Sequence, residues 1–289
     1  MSSRMRKVVF PVAGFGTRFL PATKSVAKEL LPVLDQPLIQ YAVDEAADAG
    51  ADTLVFVTNR NKHDIANYFD CAFELEAKLR ADGKQELLDT VQSTLPKGMR
   101  AVFVTQPQAL GLGHAVLCAR PVIGDEPFGV ILPDDLILGA RPGALRQMAD
   151  VAEREQAAVL AVQDVPREKT GSYGIVDAER IDERSSLVRH MVEKPSPDDA
   201  PSTLGVVGRY VLPARIFDLL ANTRPGKGGE IQLTDAIDSL IRDGRVLAWR
   251  FDGQRFDCGN KLGMVEATVH LALRDPELAP AVRALLERM

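Results

Sequence analysis

The sequence predicts an α/β fold, a mostly parallel (mixed) central sheet flanked by helices, and three observations carry that expectation. Short apolar, β-branched runs recur at residues 7–13, 53–58, 101–105, 128–132 and 157–162, each with the length and composition of a buried strand. Helix-period patterns lie between them at 37–49, 62–69, 114–120 and 142–155. Strand and helix in alternation build crossover units, which cover both faces of a parallel sheet with helices.

The elements follow in order. The run at 7–13 ends where Gly14 begins a loop. The pattern at 37–49 has its stripe in Leu38, Ile39, Ala42, Val43 and Ala46, and Gly50 closes it just past the C-cap. Residues 72–94 break the rhythm: a polar, helical insertion carrying Phe73, Leu75, Leu79, Leu87, Leu88 and Val91, split by Gly83. Residues 174–192 read as a hairpin and 203–212 as a further strand. Helical patterns close the chain at 234–243, 260–274 and 276–288. Ligands of such sheets bind past the carboxyl ends of the strands. The Gly14 loop and Asp134 both stand at such ends.

Composition narrows the function classes. With 289 residues, 46% hydrophobic and 26% charged, the chain reads as an ordinary soluble globular protein able to bury a sizeable core. A net charge of −5 argues against a general nucleic-acid binder, so an anionic substrate must meet locally clustered Arg and Lys. Cys71, Cys118 and Cys258 are far apart and odd in number, as expected of reduced thiols in a cytoplasm. Pro11 and Gly14 cut the first apolar run short of a signal peptide, and no stretch approaches the roughly 18 apolar residues of a membrane span.

The chemistry begins at the loop. Gly14 and Gly16 lack Cβ and let a ligand approach the backbone, while Arg18, Lys24 and Lys28 put cations beside it, so a polyphosphate is the natural guest. A dinucleotide fingerprint would need a third glycine where Phe19 stands, and no Gly-Lys-Ser or Gly-Lys-Thr string of a P-loop occurs. By composition alone the loop also fits a glycine-rich turn with surface cations. After the third strand, Gln106 offers the donors and acceptor that suit a pyrimidine edge, and Gly111 bare backbone for the base to lie on; a turn entering a helix is the plainer reading. His114 reads as a helix-start residue, and the four histidines show no metal-ligand spacing. Asp134 and Asp135 end the fourth strand, and a hard oxygen ligand there is what Mg²⁺ needs when phosphates supply the rest; a turn pair is the alternative. Glu193 can accept from sugar hydroxyls and Lys194 can neutralise a sugar phosphate, or the two form a surface pair.

The stretch from Gly14 to Pro32 resembles the sugar-nucleotidyltransferase signature G-x-G-T-R-x-x-P-x-T followed by K-E-L-L-P. Gln106–Ala115 is similar to that family's base-reading segment, Pro133-Asp134-Asp135 to its metal-holding strand end, and Glu193-Lys194-Pro195 to its sugar-phosphate element. Gly228–Asp235 is similar to its G-G-E-x-Q-L-T-D string, read as a loop-to-helix joint near the sugar, although Thr234 or Asp235 also suits a helix cap. Phe256–Asn260 resembles its W-x-D-x-G segment without the tryptophan, so Asp257 is either a second metal carboxylate or a cap of the helix starting near Asn260.

The resemblance runs from Lys7 to about Leu271. It implies a Rossmann-like fold of the nucleotide-diphospho-sugar transferase type in one domain, 1–289: 1–135 mainly nucleotide-binding, 136–260 mainly sugar-binding, and 261–289 the terminal helices. By the same resemblance Arg18 and Lys28 hold the phosphates, Gly16 and Thr17 belong to the wrapping loop, and Ala13, Gly14 and Glu29 lie along the nucleoside. Gln106 and Gly111 take the base, Gly174, Glu193, Lys194 and Val206 face the sugar, and Asp134 with Asp257 takes Mg²⁺. Arg18, Lys28, Lys194 and Asp134 are the expected catalytic residues. The insertion and the wording of the base segment point to the branch that joins UTP and glucose 1-phosphate into UDP-glucose and pyrophosphate. The alternatives are a thymidylyltransferase, a branch that lacks such an insertion, or another sugar-1-phosphate nucleotidyltransferase. A homo-oligomer, dimer or tetramer, is expected, with no nucleic-acid or membrane partner.

Overall fold

The computed structural model describes residues 4–288, apart from the Lys227 side chain. Nine strands form the main sheet: β1 (Lys7–Pro11), β2 (Thr53–Thr58), β3 (Arg100–Thr105), β4 (Phe128–Ile131), β5 (Ala158–Asp164), β6 (Gly174–Arg180), β7 (Ser185–Glu193), β8 (Leu204–Leu212) and β9 (Val246–Arg250). Their order is β3-β2-β1-β4-β8-β5-β9-β7-β6. Pairing is parallel from β3 through β4 and again between β5 and β9. β8 runs antiparallel to both β4 and β5, and the expected hairpin is β6–β7.

Side chains alternate across the strands, so each strand feeds two cores. Val9, Val55 and Val130 pack with α5 (Leu112–Cys118), α6 (Arg120–Ile123), α8 (Arg215–Asn222) and α9 (Leu233–Asp243) on one face. Val8, Phe10, Leu54 and Phe56 meet α1 (Leu38–Asp48), α2 (His63–Phe69) and α7 (Ala144–Glu155) on the other. A third cluster seats α10 (Lys261–Ala272) through Ala267 against Leu38, Leu136, Phe256 and Cys258. Its floor is a two-stranded ribbon, Asp135–Leu138 against Gln254–Asp257. The insertion is a helix pair, α3 (Phe73–Ala81) and α4 (Gln85–Gln92), turned through Gly83 at φ +69°. The chain closes with α11 (Ala279–Leu286).

The sequence patterns place every main-sheet strand except β9, and they miss α6, α8 and the ribbon. The run Val246-Leu247-Ala248-Trp249 is short and charged on both sides, so it carries little periodicity. The eight residues of α8 make two turns, with only Ile216, Phe217 and Leu220 buried.

One buried ion pair fixes the end of β4, just before the turn that carries Asp134. Arg209 on β8 and Glu45 on α1 are 1% and 8% exposed and meet at 2.7 Å. Arg209 Nη1 also donates to the carbonyls of Leu132 and Gly208, and Glu45 Oε1 accepts the Leu145 N–H at the start of α7. Removing one partner strands the other charge in the interior, which costs about 3–5 kcal/mol. Arg209→Met should lose stability of that order in chemical denaturation; a loss below about 1 kcal/mol would contradict this role for the pair.

Candidate functional site

The site starts where β1 ends. The Val12 N–H continues the β1–β2 ladder onto the Val57 carbonyl, and the chain then leaves the sheet. A Cβ at Gly14 would meet nothing within 4 Å, so this backbone is open to a ligand. Gly16 has φ +64°, and a Cβ there would stand 3.0 Å from Lys28 Cβ. Thr23 Oγ1 donates to the Gly16 carbonyl, folding the loop back so that Lys28 returns beside its start.

Lys28 Nζ lies 2.6 Å from Asp134 Oδ2. Burial opposes both charges, yet the pairing outweighs it: Asp134 is held below the usual carboxylate range and Lys28 above the usual lysine value. Arg18 Nη1 donates to the Gly259 carbonyl at 3.3 Å. Glu29, expected along the nucleoside, is 1% exposed, and its carboxylate meets Lys62 Nζ at 2.6 Å. Burial raises the Glu29 pKa and lowers that of Lys62. Glu29 is thus the buried counter-ion of Lys62.

The ribbon brings the two candidate metal carboxylates together. Asp135 and Asp257 are cross-strand partners, and the Cys258 N–H donates to the Asp134 carbonyl at 2.7 Å. A Cβ built on Gly259 would lie 3.0 Å from Asp257 Oδ1, 3.2 Å from Asp134 Oδ2 and 3.5 Å from Arg18 Nη1, so these three groups converge on bare glycine. Among the described residues no group of three or more His, Cys, Asp or Glu is placed to hold a metal. Two carboxylates nevertheless suit Mg²⁺, which keeps waters and takes its other oxygens from phosphates.

Asp257 does not cap α10. Its Oδ1 accepts the Gly259 N–H at 3.1 Å, while Asn260 is the N-cap and accepts from the Gly263 N–H at 3.0 Å. Asp135 turns away from Asp134: Oδ2 accepts the Gly208 N–H and Oδ1 accepts from Arg255. Arg255 lies 5.3 Å from the centroid of the Tyr173 ring.

A cleft of about 470 Å³ unites Arg18, Asp134, Asp257, Gly174, Glu193, Lys194 and Val206, and Arg255, Tyr210, Gln232 and Asn260 also line it. Gln232 and Asn260 lie inside the Gly228–Asp235 and Phe256–Asn260 strings, whereas sequence reasoning missed Tyr210 and Arg255; Arg255, two residues before Asp257 on the same strand face, carried a legible signal. Lys194 adopts φ +46°, a left-handed conformation rare for a non-glycine residue, and its Nζ meets Glu193 Oε1 at 2.9 Å. Thr234 Oγ1 donates to Glu193 Oε2 at 2.5 Å. Neither Thr234 nor Asp235 caps α9, whose N-cap is Gln232. A larger cavity, about 510 Å³, opens beside Met5, Ala158 and Leu212 at the opposite strand ends and holds none of the expected residues.

Ala13, Gly14, Gly16, Thr17, Lys28, Gln106 and Gly111 lie outside the lining of the cleft. Gln106 Nε2 lies 3.1 Å from the Gly111 carbonyl. The Gly228–Asp235 segment does more than join loop to helix near the sugar. The Ile231 N–H donates to the Leu110 carbonyl, the Gly113 N–H donates to the Ile231 carbonyl, and Glu230 packs so closely that a Cβ on Gly111 would stand 2.8 Å from its own. One segment thus supports the Gln106 loop and, through Thr234, Glu193.

Residues 7–273 match the family described as nucleotidyl transferase. The chain is 47% identical over 265 residues to a UTP–glucose-1-phosphate uridylyltransferase of Pseudomonas aeruginosa, a match spanning 91% of this chain and 95% of that one. A UTP-bound UGPase from Acinetobacter baumannii is similar at TM-score 0.91 and 44% identity, with 99% of both chains covered. A UDP-glucose pyrophosphorylase in complex with UDP-glucose is similar at TM-score 0.86 and 41% identity, over 93% of this chain and 99% of that one.

The cap assignment is directly testable. Asn260→Ala should destabilise the fold by about 1 kcal/mol, the usual worth of an N-cap, whereas Asp257→Asn should change stability by less than about 0.5 kcal/mol. Thermal unfolding of both variants checks this, and the reverse order would restore Asp257 as the cap.

Proposed function

The chain belongs to the nucleotidyl transferase family, and from that premise we propose that it transfers a uridylyl group from UTP to α-D-glucose 1-phosphate, forming UDP-glucose and pyrophosphate. The observation that carries the reading is the single cleft in which Arg18, Asp134 and Asp257 face Glu193 and Lys194. The reading is supported by the names of the relatives, which span nearly the whole chain.

A phosphate oxygen of glucose 1-phosphate attacks the α-phosphorus of UTP. A bond forms between them as the bond from the α-phosphorus to the bridging oxygen breaks, and pyrophosphate leaves with that electron pair. The attacking phosphate is already ionised at neutral pH, so no general base is needed, and the protein's task is positioning and charge neutralisation. Arg18 and Lys28 neutralise the triphosphate, with Lys28 exchanging Asp134 for phosphate. Thr234 and Lys194 fix the two oxygens of Glu193, whose remaining lone pairs accept from sugar hydroxyls. Lys194 meets the sugar phosphate. Gly14, Gly16 and Thr17 wrap the triphosphate, Ala13 borders the nucleoside, Gln106 and Gly111 form the base slot, and Gly174 and Val206 floor the sugar. Asp134 and Asp257 would hold Mg²⁺, which supplies charge neutralisation on the phosphates.

Assembly into a homo-oligomer is proposed from the exposed Leu262 and Val265 of α10 and Leu278, Leu285 and Leu286 near the chain end. A cytoplasmic setting is proposed from three free thiols. No helix among the described residues is long and apolar enough to cross a membrane.

Pyrophosphate release across a panel of nucleotides and sugar phosphates tests the activity: UTP with glucose 1-phosphate should exceed ATP and GTP by far, and equal turnover with a purine triphosphate would overturn the slot. Lys194→Ala should raise KM for glucose 1-phosphate and lower kcat. Loss of one charge-assisted contact is worth about 1.5–3 kcal/mol, or roughly ten- to a hundredfold in kcat/KM. A folded variant with an unchanged response to glucose 1-phosphate would remove Lys194 from the sugar-phosphate site.

A further inference from the structure

The mechanism leaves His114 unused, although it lies against the one side chain proposed to read the base. Gln106 Nε2 is 3.1 Å from the Gly111 carbonyl and 3.1 Å from His114 Nδ1. A backbone carbonyl only accepts, so the amide end facing Gly111 must be the NH₂. That carbonyl also accepts the Ala115 N–H and belongs to the first turn of α5, so it cannot turn away. The second proton of the same NH₂ then points at His114 Nδ1, which must accept it. Nδ1 is then bare and the ring proton sits on Nε2, 3.9 Å from Cys118 Sγ. Both donors of Gln106 are now committed. Its Oε1 takes no protein hydrogen bond among the described residues, and the buried polar atoms without partners are Trp249 Nε1 and His270 Nε2 only. The carbonyl end of Gln106 is thus without a protein partner and not fully buried.

We propose that His114 is a positioning residue that, as a second acceptor beside the Gly111 carbonyl, locks the Gln106 amide with only its carbonyl oxygen presented to the base, and so strengthens discrimination against cytosine. The inference rests on the base-slot reading above. Uracil carries a donor, N3–H, where cytosine carries a lone pair. A locked acceptor pairs with the first and repels the second, whereas a free amide could rotate and satisfy either. The lock treats uracil and thymine alike, so it addresses CTP and not TTP.

The test uses the full-length enzyme, with kcat/KM measured for UTP and for CTP with glucose 1-phosphate. Wild type should prefer UTP by on the order of a hundredfold, the penalty of facing like polar groups in a closed site. His114→Ala should cut that ratio by about tenfold or more. His114→Asn, whose Oδ1 can stand where Nδ1 stood, should restore most of it. A His114→Ala enzyme that loses UTP and CTP turnover in equal proportion, with the ratio unchanged, overturns the proposal and leaves His114 a packing residue. Should His114→Ala fail to fold, ¹⁵N spectra of the histidine rings in wild type decide: a bare Nδ1 on His114 at neutral pH supports the lock, and a proton there overturns it. Absence of UTP turnover in wild type would instead strike at the proposed function itself.

Discussion

Two carboxylates, Asp134 and Asp257, have to be held within a few ångströms of one point, and the local architecture answers to that constraint. Like charges at such a distance repel strongly where water is scarce. The repulsion is met by cations from one stretch of chain: Lys28 on Asp134, and Arg18 close to both across Gly259. Geometry is met by backbone, through the Cys258 N–H on the Asp134 carbonyl and the short ribbon that sets Asp135 opposite Asp257. The ribbon in turn rests on Leu136, Phe256 and Cys258 under α10. Gly259 is then explained without appeal to flexibility, since any side chain there would fill the space in which the charges meet.

A second dependence runs through β8. Its Arg209 pairs with Glu45 and holds the Leu132 carbonyl, while the Gly208 N–H holds Asp135. Asp135 spends its charge on Arg255, which lies against Tyr173 at the wall of the cleft. The two adjacent aspartates therefore have opposite duties: Asp134 faces the cations of the glycine loop, and Asp135 faces inward as a structural anchor. The segment leading into α9 couples the two substrate sides in the same way, with Ile231 on the Gln106 loop and Thr234 on Glu193.

Much of this was legible in the sequence because the relevant signals are local. Apolar runs between glycines and charged turns mark the parallel strands, and the motif strings name Arg18, Asp134, Glu193, Lys194 and Asp257 in the cleft. What escaped depends on pairing across long separations. The ribbon joins four-residue strands, with Arg255 on an Asp135 carboxylate 120 positions away, and no periodicity in either segment announces its partner. Separation also hid the burial of Glu29 against Lys62, 33 residues on. The cap at Asn260 is local, to the Gly263 N–H, and was masked by the more conspicuous Asp257.

The central claim is that Asp134 is the carboxylate around which the phosphate chemistry is organised. Initial rates of UDP-glucose formation, measured while Mg²⁺ is titrated into wild type and Asp134→Asn, test it most directly. The substitution keeps the size of the side chain and removes its charge. The account predicts a wild-type rate that saturates with Mg²⁺, and a folded Asp134→Asn enzyme that stays on the order of a hundredfold or more slower at every Mg²⁺ concentration, the scale of losing a transition-state charge contact. An Asp134→Asn enzyme that reaches the wild-type rate once Mg²⁺ is raised would contradict it.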